Sequence, residues 1–394
     1  MTVLYILIST DPFGGATKSF LALLKGVTKA GVKAIVVVPD TNGIYNTLIN
    51  MNVQVIVEKE KGCTWTGARN LKQRLLYIPR QLGRMAINYH AQRSLARKVE
   101  GFAIDIVHSN NSVASLGRYI AEKRKLPHLY HIREYADIDF GLRYFPSNTS
   151  FHHYLKKDGV YTACITKDIR QHHGLDDMHS SRVIYNGIIN DTETPASFDQ
   201  NKEEYFLYAG RIEPSKGLLT LITAYNAYRT KLSSGTPLPL MVAGEVFVEP
   251  YMESIQKYIR ANHLDKAIKF LGKVTDMPTI YKHAKAIIIP SKFEGFGRCM
   301  PEAMSYGCIT IAHNTGGSKE QLDNGMELTG KEIGFRYNTT EELTERLIAI
   351  HSLKESEVTE MRQRAYECVC KMYSCKTYVD SVLDFYNYIK DKKS

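Results

Sequence analysis

Four charged side chains, Arg211, Lys216, Glu294 and Glu302, sit in or beside two loops whose make-up suits a phosphorylated, hydroxyl-rich ligand. The first loop is GRIEPSKG, residues 210–217, which follows the apolar run YFLYAG and opens a helix. Two cations beside a helix N-terminus are what a diphosphate needs when no metal neutralises it. The second stretch is PSKFEGFGRCMPEAMSYG, residues 290–307. A buried strand (AIIIP) runs into a loop bearing Gly295, Phe296 and Gly297, and a helix is expected to start near Arg298. Such glycines let the backbone approach a ligand, and the helix start aims N–H groups at an anion. Glu294 and Glu302 flank that loop and suit hydrogen bonds from neutral hydroxyls. A basic loop alone is often merely solvated. Two such loops in one domain read as a ligand site.

The elements that must position these residues follow from hydrophobic patterning. In the first 190 residues, strand-sized apolar runs fall at 3–8, 32–39, 53–58, 104–109, 128–133, 160–165 and 182–186. Helical stretches such as 17–30 and 113–125 lie between them. The pattern restarts at 205–210 and continues at 238–243, 267–271, 285–290 and 308–312, turning all-helical after about 340. Short continuous apolar strands alternating with helices indicate parallel sheets covered on both faces. The expected organisation is therefore two doubly wound α/β domains, 1–190 and 205–373. A polar linker, 191–204, joins them, and the last helix, 374–394, packs back on the first domain. Ligands are expected at the carboxyl ends of the strands, in the cleft between the domains.

Composition narrows the classes. Apolar residues at 44% and charged residues at 23% exclude wholesale disorder. No apolar run approaches the ~18 residues of a membrane span, and the opening MTVLYILISTDP reads as a first strand rather than a signal peptide. Seven scattered cysteines give no disulfide framework and fit a reducing cytoplasm. The net charge of +10 is uneven, because residues 1–200 hold 25 Lys and Arg against 17 Asp and Glu. Residues 69–98 carry eight cations and no acid, among them Arg69, Lys72, Arg74, Arg80 and Arg84, interleaved with leucine, isoleucine and tyrosine. Such a stretch suits an anionic membrane surface. A solvated helix face beside an acidic ligand is the plainer alternative, and no nucleic-acid module accompanies it.

The set of motifs resembles the retaining glycosyltransferases of family 4, which have the GT-B fold of two facing Rossmann-like domains with a C-terminal crossover helix. Glu294 and Glu302 fit that family's pair of glutamates, and Gly210, Arg211, Lys216 and Gly217 its phosphate-binding loop. VIYNGI at 183–188 and Thr315-Gly316-Gly317 with Glu320 resemble further family segments. The resemblance covers essentially the whole chain. It implies that Arg211 and Lys216 neutralise the donor diphosphate and that Glu302 binds the ribose hydroxyls. Glu294, with backbone N–H groups around Phe296 and Gly297, would hold the donor sugar. Gly14 and Gly15 would form a glycine loop near the phosphates, and His131 would stand beside the donor sugar. Asn110, Asn111, Arg133 and Glu134, which end two strands of the first domain, are candidates for the acceptor side.

Asp137-Ile138-Asp139 is formally an Asp-x-Asp metal motif but stands far in sequence from the phosphate loops. His152-His153 and His172-His173 lack a third ligand at metal-binding spacing. No metal and no other cofactor is expected. The expected activity is transfer of a sugar from a nucleotide diphosphosugar to a hydroxyl acceptor. That acceptor is expected to be a lipid-linked or membrane-proximal glycan in bacterial polysaccharide biosynthesis, at the cytoplasmic face of the cell membrane. The rivals are a GT-B nucleotide-sugar epimerase and a non-catalytic binder of nucleotide sugars or nucleic acid.

Overall fold

The runs VLYI, IVVV, AIII and FLYA become parallel strands because both of their faces are covered by helices. The computed structural model describes residues 1–66, 76–190 and 205–392, so the expected linker 191–204 lies outside the described residues. The chain divides into two units, Met1–Gly187 with Cys375–Ser394, and Ile188–Ser374.

Strands are numbered in chain order. The first unit contains β1 (Thr2–Ile6), β2 (Lys33–Val38), β3 (Gln54–Val57), β4 (Thr64–Thr66), β5 (Ile106–Ser109), β6 (His128–Ile132), β7 (Leu142–Tyr144), β8 (Val160–Cys164) and β9 (Ser181–Val183). Seven of them form one parallel sheet in the order β3-β2-β1-β5-β6-β8-β9. The short β4 and β7 pair antiparallel outside it. One face of the sheet packs on Phe20, Leu23 and Leu24 of helix Gly15–Lys29 and on Tyr378, Val382, Phe385 and Tyr386 of helix Cys375–Asp391. The other packs on Leu95, Leu116 and Ile120.

The second unit holds β10 (Phe206–Ala209), β11 (Leu240–Ala243), β12 (Ile268–Gly272), β13 (Ala286–Ile289), β14 (Ile309–His313) and β15 (Phe335–Tyr337). They make a parallel sheet in the order β12-β11-β10-β13-β14-β15. In both sheets the strand order reverses beside the first strand, between β1 and β5 and between β10 and β13. Loops leaving the two strands at such a reversal diverge and open a crevice at the carboxyl edge. The loops at 210–217 and 290–297 leave β10 and β13, so both charged motifs stand at the reversal of the second sheet.

Candidate active site

The loop after β10 ends in a short 3-10 turn, Pro214–Lys216, and Gly217 then starts helix Leu218–Lys231. Gly217 has φ +69, and a Cβ there would lie 2.0 Å from the Pro290 carbonyl oxygen. Only glycine lets the two loops press together at this point. The Lys292 N–H donates to the Ser215 carbonyl, closing the contact. The result is an ion pair across the reversal: Lys216 Nζ donates to both oxygens of Glu294, at 2.9 and 2.8 Å. Both side chains are partly buried. Burial pulls the Lys216 pKa down, but the Glu294 charge and hydrogen bonds outweigh it, and the net shift is upward. Arg211 is exposed; it pairs with Glu213 at 3.0 Å and lies over the Phe247 ring at 4.8 Å. Phe247, 63% exposed in the loop after β11, is a ring at the site that sequence reasoning missed. No spacing rule links it to Arg211.

The second glutamate is held as firmly. Glu302 lies in the first turn of helix Cys299–Ser305 and pairs with Arg298 at 3.2 Å, while the Tyr281 hydroxyl donates to its other oxygen at 3.3 Å. Between the two glutamates sits the Cys299 thiol, pushed up to about 12 by burial and then by the Glu294 and Glu302 charges, so it is no thiolate nucleophile. Gly297 takes φ +75, and a Cβ there would lie 2.8 Å from Glu294 Cγ. The Gly317 N–H, at the start of helix Gly316–Thr329, donates to the Glu294 carbonyl at 2.7 Å. The late glycine loop thereby packs on the glutamate loop. The Phe296 side chain is buried edge-on against Tyr373, ring centroids 5.5 Å apart, which leaves its backbone along the loop. Its carbonyl accepts from Gln321. Gly210 donates to the Ala243 carbonyl, and Gly295 lies between Glu294 and Phe296 in the same loop.

In the first unit, Gly14 and Gly15 open helix Gly15–Lys29 directly after β1, with no side chain capping that N-terminus. Asn110 and Asn111 follow β5, the other strand of the reversal. Arg133 and Glu134 follow β6, both buried. The Arg133 guanidinium donates to the Asn110 carbonyl (3.0 Å), Asn110 Oδ1 (3.0 Å), Asn186 Oδ1 (2.5 Å) and the Tyr378 hydroxyl (2.9 Å). It therefore ties the ends of two strands to the last helix. Glu134 accepts from the Ser112 N–H and hydroxyl; burial raises its pKa and those bonds partly offset the rise.

His131 is corrected by the structure. It is 0% exposed, stacked on His108 with centroids 5.5 Å apart and edge-on to Tyr378 at 5.9 Å. Neither ring nitrogen has a hydrogen-bond partner. Burial, then the Arg133 and His108 charges, holds its pKa well below the usual histidine range. The reason is strand alternation: His131 shares a face with Leu129, the face covered by the last helix. It is a neutral core residue in this fold.

The isolated acids and histidines of the first domain meet one another. His172 Nε2 lies 2.8 Å from Asp137, His173 lies 3.2 Å from His152, and Asp139 accepts from the Tyr135 N–H. Among the described residues no group of three His, Cys, Asp or Glu is placed to hold a metal. Of the basic stretch, Arg69, Lys72 and Arg74 lie outside the described residues. Arg80 is exposed, but Arg84 is a second correction: its guanidinium donates to the Lys61 and Thr64 carbonyls and braces the neighbouring segment rather than facing outward. No helix among the described residues is long and apolar enough to cross a membrane.

Two successive Rossmann-like units, with paired ions at the strand reversal of the second, define the GT-B class of glycosyltransferase fold. Residues 190–367 match the family model of glycosyl transferases group 1, so the second unit carries a domain of that family. A glycosyltransferase of Methanocaldococcus jannaschii is 29% identical over 158 residues, 35% of this chain and 37% of its own. The O-antigen chain mannosyltransferase B of Escherichia coli is 30% identical over 112 residues, 28% of each chain. Such matches span about a quarter to a third of the first curated relatives' own length. Among solved structures, Anabaena HepE in complex with UDP-glucose superposes with a TM-score of 0.72 at 17% identity, covering 98% of both chains.

Proposed function

We propose that this protein transfers a glycosyl group, with retention of configuration and without a metal, from a nucleotide diphosphosugar to a hydroxyl acceptor. In this reading it acts as a retaining enzyme of family 4. Its acceptor is a lipid-linked or membrane-proximal glycan, in assembly of a bacterial surface polysaccharide at the cytoplasmic face of the cell membrane. The observation that carries the reading is the Lys216–Glu294 pair at the reversal of the second sheet. An ammonium has three protons, and Glu294 takes two, so one is left for a phosphate oxygen. Arg211, exposed on the same loop, adds a second cation. Negative charge grows on the diphosphate as the bond from the anomeric carbon to the phosphate oxygen breaks, and fixed cations stabilise it more in that transition state than before. The acceptor oxygen bonds to the same face of that carbon, and its proton passes to the departing phosphate oxygen. Glu302, held by Arg298 and Tyr281, has lone pairs for the ribose hydroxyls. The UDP-glucose complex of HepE supports a nucleotide diphosphosugar as donor and puts UDP-sugars first among candidates.

The test is thermal stabilisation by UDP-, GDP-, ADP- and dTDP-sugars, with and without EDTA, in wild type and Lys216→Ala. A ligand at a hundred times its dissociation constant adds about 2.7 kcal/mol. Stabilisation by one nucleotide class, indifferent to EDTA and lost in the variant, supports the reading. No stabilisation at millimolar concentration by any of them sinks it.

A further inference from the structure

Helix Tyr77–Lys98 has 22 residues and so runs about 33 Å, roughly twice the length of the strands beside it. Its buried residues are only Ala91 and Leu95, both in the second half. The first half overhangs the sheet. Its start is fixed at the carboxyl edge of the first unit, because Tyr77 packs on Trp65 of β4 at 4.8 Å. β4 pairs with β7, and Tyr144 of β7 bonds to Ser112, in the loop after β5. Arg84 and Asn88 hold the overhang to the segment 61–64.

On the overhang, Ile78, Leu82, Met85 and Tyr89 are exposed, Ile78 and Leu82 at 66% and 60%. At 100° per residue these four fall within an arc of about 60°, whose centre lies about 110° or more from the buried Ala91 and Leu95. Arg93 and Arg97 border the stripe on one side, and the Arg93 guanidinium lies 4.3 Å over the Tyr89 ring. Between Glu60 and Glu100 the chain has no acid. Phe13, Phe140 and Phe145, in segments that also leave the carboxyl edge, are exposed as well.

We infer that this overhang docks the carboxyl edge of the first unit on an anionic lipid surface, with the Ile78–Leu82–Met85–Tyr89 stripe entering the headgroup–acyl boundary. Charge complementarity selects this occupant. A second copy of this helix offers no acid to Arg93 and Arg97, since none lies between Glu60 and Glu100, whereas anionic headgroups satisfy them. The inference deepens the lipid-linked-acceptor reading and rests on it for its purpose, but it is tested separately from glycosyl transfer.

The experiment is co-sedimentation of the full chain with vesicles of phosphatidylcholine, alone and mixed with phosphatidylglycerol, while following the emission of Trp65, the chain's one tryptophan. The expected result is binding to the mixed vesicles, weakened by salt, with a change in Trp65 emission. Leu82→Asp with Met85→Asp should lower the affinity about tenfold or more, and Arg93→Glu with Arg97→Glu should lower it as well. Arg80→Glu, on the opposite side of the helix, should change it least. No binding, equal binding to neutral vesicles, or unchanged binding by the Leu82/Met85 variant overturns the inference. So does a wild-type dimer in light scattering that the same variant makes monomeric, since the stripe would then belong to a second copy. Thermal stabilisation by a nucleotide sugar should be the same in all these variants, so a failed docking surface is distinguishable from a failed donor site.

Discussion

Lys216 and His131 are both removed from bulk water, yet burial leads to opposite charge states because their partners differ. Lys216 has a carboxylate on two of its protons, and its pKa ends above the ordinary lysine value. The stability that its charge contributes is present below pH ~10.5 and is lost only as pH rises through the raised value. Donor affinity should therefore show no lysine titration at or below pH 9, as a binding titration across that range would reveal. Glu294→Gln leaves the ammonium partly buried with a neutral partner, and should weaken donor binding by about tenfold or more. His131 has no partner, and its pKa is depressed, so it contributes stability above about pH 6.5 that is lost as pH falls toward its folded value. His131→Met should reduce the acid-side slope of unfolding free energy by ~1.4 kcal/mol per pH unit, measured by urea denaturation from pH 7 to 5. Buried Glu134, with its raised pKa, acts in the opposite sense in wild type and variant alike, so the difference isolates the histidine. Unchanged stabilisation by nucleotide sugars in His131→Met would confirm that the imidazole lies away from the donor.

Loops and strands carry the site at the next scale. Gly217→Ala would place a methyl group on the Pro290 carbonyl in a left-handed backbone, and should cost about 2–4 kcal/mol, seen as a lower melting temperature together with loss of donor binding. Most of this scaffold was legible in the sequence, because a strand buried on both faces announces itself as a continuous apolar run: AIIIP became β13 and IVVV lies in β2. The strands β4, β7 and β15 were not legible. Each has three residues, too few for a pattern, and β4 finds its partner far along the chain, Thr64 standing against Tyr144 and Thr66 against Leu142. The site was legible in its loops and not in its pairings. GRIEPSKG and FEGFG advertise themselves by glycine and charge, but nothing in spacing shows Lys216 bonded to Glu294 or Arg211 over Phe247. The resemblance misled at His131, which strand alternation turns onto the face covered by the last helix, while Arg133, just past the end of β6, bonds Tyr378.

At the scale of the whole molecule, the first unit is assembled from both ends of the described chain. Tyr378, Val382, Phe385, Tyr386 and Ile389 fill one face of its core, and Gly26 of helix Gly15–Lys29 comes close enough to Val379 that a Cβ would lie 2.3 Å from a methyl carbon. Truncation after Ser374 should expose that face and make residues 1–187 protease-sensitive while 205–373 stays resistant, as limited proteolysis with mass spectrometry would show. The same arrangement orders events at the ribosome. The second unit can close as soon as Ser374 has emerged, but the first waits with an open apolar face until the last helix follows, some seconds or tens of seconds after its own strands were made. The half of the molecule synthesised first is thus the half that finishes folding last, and a chaperone that shields apolar surface has its longest opportunity there.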